Sequence, residues 1–331
     1  MKNVQWPIAP LGVFLLLFVA LQLPPSAQST QSGATDTIAG ERKNIGKGTV
    51  RTWLKVDPRT REPRSLGISL AEQGLSGLPA EEDPAQPDSV KLKLMDGGPH
   101  HTFEYELKFP PEADDTAFSH MGFNWNPEGH GPRGIFTTPH FDVHFYMATP
   151  EYRHEIVVDT QDADPIHVRT SNLEPPAQFL PRDYQLAPNT AEPRMGSHYA
   201  DITSTQLKPG NFTNIFLIGG HGGNILFWEP MITKAYLETH PTWRADLKLP
   251  DAYPVSGYYP TAYSVVYDQS RQEFDIALDG LTFRLSSYPR NVYGVEPCID
   301  SRVARIMAKY KKVPDNPAIK ACIAAIRDVI K

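Results

Sequence analysis

A mainly β fold, an antiparallel β-barrel or sandwich with long Pro-rich loops, is what this sequence predicts, and three observations carry it. Short runs of alternating apolar and polar residues recur at 49–56, 90–95, 102–109, 118–125, 140–147, 212–218, 224–229, 262–268 and 274–278, the period of half-buried strands. The 32 prolines gather between these runs, as at Pro175, Pro176, Pro181 and Pro188, where a residue without an N–H ends strand pairing. Hairpin turns are readable at Gly219-Gly220-His221-Gly222-Gly223 and at Asp279-Gly280.

The N-terminus has the order of a secretory signal. Lys2 precedes an apolar run from Leu11 to Leu23, which ends at Pro24-Pro25-Ser26-Ala27. Thirteen residues are too few for a hydrocarbon core that takes about 20 helical residues. The expectation is cleavage after Ala27, a secreted or periplasmic destination and no membrane attachment afterwards. Residues 28–46 are rich in Ser, Thr, Gly and Gln and read as a flexible linker. The β domain is expected over 47–290. A short helix is expected after the glycine-rich hairpin, with Pro230 at its first position and 231–238 as its body.

A C-terminal helical hairpin is expected over 291–331, with arms at 299–312 and 318–330. Its two cysteines, Cys298 and Cys322, are the only ones in the chain. In an exported protein, pairing is the expected state of such cysteines, and a bridge here would contribute about 3 kcal/mol in the chain-entropy model. Net charge is −6, with no basic block, which argues against nucleic acid as a partner. A small-molecule ligand or substrate and assembly into a homo-oligomer stay open.

Chemistry concentrates between Phe123 and Met147. In the run 140–147, His140, Asp142, His144 and Tyr146 alternate with Phe141, Val143, Phe145 and Met147. A strand therefore puts ligand-type side chains on one face and core residues on the other. At the strand rise, His140 and His144 have Cα atoms roughly 13 Å apart, too far to share one tetrahedral ion with ease, whereas neighbours at i and i+2 are roughly 6.6 Å apart. Either His140 with Asp142 or Asp142 with His144 can form a ligand pair, or Asp142 can orient one of the rings. Further donors are on offer from Glu128 and His130 in the loop upstream, from His198, and from Glu229 before Pro230.

The expectation is one divalent metal, Zn first and Cu, Mn or Fe as alternatives, held by His130, His140, Asp142, His144 and His198. Glu128 or Glu229 would act as base in metal-assisted hydrolysis, with redox chemistry in view if Cu or Fe binds. The other reading is a non-catalytic ligand-binding or oligomeric module in which the His-Asp-His row is a buried polar network. No nucleophile elbow, phosphate loop, H-E-x-x-H helix or zinc-ribbon cysteine set is present.

The strings WNPEGHGPRGIFTTPHFDVHFYM, PRMGSHYAD and FWEPMITKAYL resemble a family of exported bacterial proteins classed as a domain of unknown function, with a member in Thermus. The openings GKGTVRTWLKVD and SLGISLAEQGLSGLP and the later YSVVYDQSRQEFDIALDGLTFR are similar too, so the resemblance spans roughly Gly46 to Arg284. It implies a mainly β domain with His130, His140, Asp142, His144, His198 and Glu229 at motif positions, and it supplies no reaction. The tail after Tyr293 lies outside it.

Overall fold

The computed structural model describes residues 34–80, 89–94, 98–158, 169–287, 301–313, 315–317, 319–320 and 323–324. The expected leader, and Cys298 and Cys322 with the expected bridge, fall outside these residues.

Strands dominate. In chain order they are β1 (Asp36–Ile45), β2 (Gly48–Val56), β3 (Pro63–Ala71), β4 (Ser89–Leu94), β5 (Gly98–Lys108), β6 (His120–Asn126), β7 (His140–Tyr146) and β8 (Tyr184–Leu186). They continue as β9 (Ser197–Asp201), β10 (Asn214–His221), β11 (Asn224–Thr233), β12 (Thr242–Asp246), β13 (Gly257–Tyr259), β14 (Ala262–Asp268), β15 (Glu273–Asp279) and β16 (Thr282–Arg284). Two antiparallel sheets result, a six-stranded one ordered β1-β2-β3-β15-β14-β12 and an eight-stranded one ordered β4-β5-β6-β7-β11-β10-β9-β8, with β13 and β16 as a small third pair. Neither order closes on itself among the described residues, so the barrel half of the expectation is not met.

One face of each sheet contributes to a shared core. Leu54, Leu66, Ile68, Val265 and Ile276 of the six-stranded sheet join Phe103, Phe123, Phe141, Phe145 and Trp228 of the eight-stranded one in a single buried cluster. Because side chains alternate along a strand, burying Phe141, Val143 and Phe145 inward turns His140, Asp142, His144 and Tyr146 onto the opposite face. Loops close over that face, and two smaller apolar clusters form there. One contains Phe136, Phe212, Leu217 and Met231, the other Tyr146, Ile156, Met195 and Phe227.

Two expectations need correction. Residues 36–45 of the expected linker form β1, which pairs with β2 from Asp36↔Val56 to Ile45↔Gly48. Only Ile45 of β1 is buried, so the strand is polar because it is an edge with one neighbour, and its ordering comes from backbone pairing that composition does not reveal. Likewise Pro230 and Met231 do not open a helix. They lie inside β11, and α2 (Lys234–Leu237) starts only after Thr233, whose hydroxyl accepts the Tyr236 N–H at 3.2 Å. The β11–β7 ladder runs Trp228↔Phe145 and then Met231↔Asp142, skipping the position where Pro230 has no N–H to donate.

Ahead of α2 comes α1 (Pro150–His154), and after it α3 (Ser301–Tyr310), within the first arm of the expected C-terminal hairpin. Val303 and Ile306 of α3 enter the shared core. Tyr310 donates to Asp115 at 2.7 Å and Lys312 reaches Glu62 at 2.6 Å, so this segment is docked on the β domain. Among the described residues no helix is long and apolar enough to cross a membrane.

Candidate metal centre

The outer face of the eight-stranded sheet is built by register. β6 and β7 pair Asn126↔His140, Asn124↔Asp142, Gly122↔His144 and His120↔Tyr146. On the other side of β7, the pairs Trp228↔Phe145 and Met231↔Asp142 set Glu229 across from His144. β10 then carries Leu217 opposite Glu229 and Gly219 opposite Phe227, and β9 places His198 opposite Gly219. Gly219 is required there, since a Cβ would lie 1.9 Å from the Phe227 ring. That ring packs edge-on against both His144 and His198, with centroids at 4.8 and 5.4 Å.

Side chains on this face converge into two groups of three, each with ligand atoms within 4.8 Å of one another. In the first, His130 Nε2 and His140 Nε2 approach the Asp142 carboxylate at 3.5 and 3.1 Å. In the second, His144 Nε2 and His198 Nε2 approach the Glu229 carboxylate at 3.2 and 3.7 Å. Asp142 thus pairs with His140 and not with His144, and the one site expected from the row along β7 divides into two. Glu229 belongs to the second group as a ligand-type residue. Glu128 is solvent-exposed and belongs to neither.

Three rings are fixed by main-chain acceptors. His130 Nδ1 donates to the Gly131 carbonyl at 2.7 Å, His140 Nδ1 to Thr138 at 2.6 Å and His198 Nδ1 to Thr190 at 2.8 Å. A carbonyl has no proton to give, so Nδ1 carries the hydrogen and each ring turns its Nε2 toward a carboxylate. A lone pair on Nε2 would repel those of the carboxylate, and either a proton or a metal ion between them relieves this. His140 Nε2, Asp142 Oδ1, both ring nitrogens of His144 and Glu229 Oε2 are buried without a hydrogen bond of proper alignment, where native interiors satisfy such atoms. Asp142 Oδ2 does accept one bond, from Asn126 Nδ2 at 2.7 Å.

Without an ion, the carboxylates favour a proton on two of these rings. Burial opposes the charged ring of His130, yet Asp142 with the Gly131 carbonyl holds it at about 9. Burial opposes His144 likewise, and Glu229 holds it above its ordinary value. Burial works against the Asp142 carboxylate too, but His140 and His130 keep it well below the usual carboxylate range. His198 is lowered by burial, which outweighs Glu229, and so favours the neutral form that binds metals.

Glu192 was not singled out by the sequence. It sits in an Ala-Glu-Pro loop with no periodicity to mark it, yet with His130 and His198 it lines the small cavity that both groups face. Asn126, one position past the run 118–125, ends β6 beside His140. His221, read as a turn residue, lies at the hairpin tip with its Nδ1 3.1 Å from the Tyr152 hydroxyl.

Farther along the same face, His120 stacks on Tyr146 at 4.8 Å. Burial and the Arg153 charge push it down to about 3. The unfolded chain, with a pKa near 6.5, takes up this proton first as pH falls. The stability that His120 contributes above pH 6.5 should therefore be lost toward pH 3, by about 1.4 kcal/mol per pH unit for one proton. Denaturation of wild type and His120→Phe across this range should show a shallower slope for the variant, and equal slopes would refute the assignment.

A mainly β scaffold holding buried histidine and carboxylate groups on the outer face of one sheet is what fold and site together define. Residues 59–125 match the model of the TTHB210-like family, described as hypothetical protein TTHB210. That segment runs from the β2–β3 turn to the end of β6, short of the His-rich strand β7. No curated protein and no solved structure matches the chain.

Proposed function

We infer that this is an exported metal-binding protein that holds divalent cations in two adjacent groups, His130-His140-Asp142 and His144-His198-Glu229. The observation that carries the reading is the convergence of buried imidazoles on carboxylate oxygens, with Nε2 of His140 and His144 lacking an aligned hydrogen bond, an arrangement that a cation with bonds of about 2.0–2.2 Å to N and O completes. Nitrogen–oxygen separations of 3.1–3.7 Å are those of ligands sharing one small ion. In a purely structural network a proton on each ring would take the place of the ion, and metal content distinguishes the two.

Two imidazoles and one carboxylate leave a coordination position open. With Zn this is the donor set that lowers the pKa of a bound water and supports hydrolysis. With Fe(II) the same set supports oxygen chemistry. Zn matches two imidazoles and a carboxylate, and metal-assisted hydrolysis is the activity favoured here.

Elemental analysis of protein purified without a histidine tag is expected to find about two equivalents of metal per chain. His140→Ala and His198→Ala should each remove about one equivalent. A wild type without stoichiometric metal would sink the reading, and loss of both equivalents from either variant would merge the two groups into one site.

A further inference from the structure

A second cavity, about 540 Å3, adjoins the metal groups and shares His130, Glu192 and His198 with the small cavity between them. Its volume falls in the range of about 300–1,000 Å3 typical of small-molecule sites. Its walls are apolar, with Phe136, Leu207 and Leu217 among them, and Ile202, 55% exposed, also lines it. Among the six ligand-type residues, the side chains of His130 and His198 are the most exposed, at 18% and 11%, against 5% or less for the other four. Each group therefore shows one ring edge to this cavity and buries its other two members.

We propose that the cavity binds a small amphiphilic molecule, its apolar body against Phe136, Leu207 and Leu217 and its oxygen-rich, metal-coordinating head at the His130–His198 floor. The inference rests on the metal-binding reading and adds the class of ligand. An apolar wall cannot reward a sugar or a free phosphate, and a purely apolar molecule would leave the polar floor unsatisfied. A head group with a body of several methylenes satisfies both ends.

Octanohydroxamate and acetohydroxamate share one metal-coordinating head and differ in the length of their apolar chain, so they separate the two contributions. In calorimetric titrations of zinc-loaded protein, octanohydroxamate is expected to bind at least about tenfold more tightly, since each buried methylene adds affinity. Ile202→Arg at the exposed wall and Leu207→Trp within the cavity should each shrink that ratio while zinc content stays at the wild-type level. Chelated protein should bind neither compound measurably. Equal affinities for the two hydroxamates in protein that retains zinc would overturn this proposal alone. Protein that takes up no zinc would overturn the metal reading and this proposal with it.

Discussion

Replacing Arg153 with alanine is expected to cost about 3 kcal/mol of stability, the low end of the penalty for breaking a buried ion pair, because Arg194 stays beside Glu104. The Arg153 side chain is fully buried and makes an ion pair with Glu104, with a second contact to Glu106 at 3.2 Å. Its guanidinium lies 4.2 Å over the Tyr146 ring, and its Nε reaches the Arg194 carbonyl at 3.4 Å. Burial works against the Glu104 carboxylate, and Arg153 nevertheless holds it below its ordinary value, so truncation leaves that charge with only the part-exposed Arg194 guanidinium at 3.3 Å. Urea denaturation should show the loss. Arg153→Ala combined with Glu104→Gln should recover part of it, because the buried charge is then gone. Arg153→Lys should not restore wild-type stability, since a single ammonium cannot reproduce the planar, forked contacts. A double variant no more stable than Arg153→Ala would mean that packing over Tyr146, and not charge compensation, sets the cost.

Removal of metal should produce the second large effect. An ion that binds only the folded chain stabilises it by about 2.7 kcal/mol at a hundredfold excess over Kd and about 4 kcal/mol at a thousandfold. Two groups should therefore make the melting temperature strongly dependent on chelator. Wild-type protein is expected to melt at a markedly lower temperature in EDTA and to recover on addition of Zn. Asp142→Asn and Glu229→Gln, which keep the shape of the side chain and remove its charge, should each abolish part of the chelator response. Acidification should mimic the chelator, because protons compete for the same Nε2 atoms. An unchanged melting curve in EDTA, for protein that contained metal beforehand, would show that the ions contribute nothing to the folded state.

The strands and the polar face of β7 were legible because both follow from a two-residue period within a single segment. His130, His140, Asp142, His144, His198 and Glu229 could be gathered as candidates for the same reason, since their residue types stand out locally. Their division into two groups could not. It depends on which strands flank β7, and Glu229 and His198 arrive through β11, β10 and β9, more than fifty positions away in the chain. Local rules also misled where tertiary pairing overrode them. Pro230 carries the sign of a helix start and instead sits in a strand whose ladder tolerates its missing N–H, and β1 has the composition of a tether but is held by its neighbour. Glu192 left no local mark at all, because a lone acid in a prolyl loop looks like any solvated residue.

The main-chain anchoring of the histidine rings bears on how such a site would be found in other sequences. Gly131 and Thr138 orient His130 and His140 through carbonyl oxygens alone, so the identity of those two residues is irrelevant as long as the backbone keeps its path. Thr190 differs, since its hydroxyl also accepts the His198 N–H at 3.1 Å. A distant chain could thus carry the whole arrangement while sharing little more than six scattered side chains. Recognition would then depend on superposing backbones, because alignment of letters would pass over it.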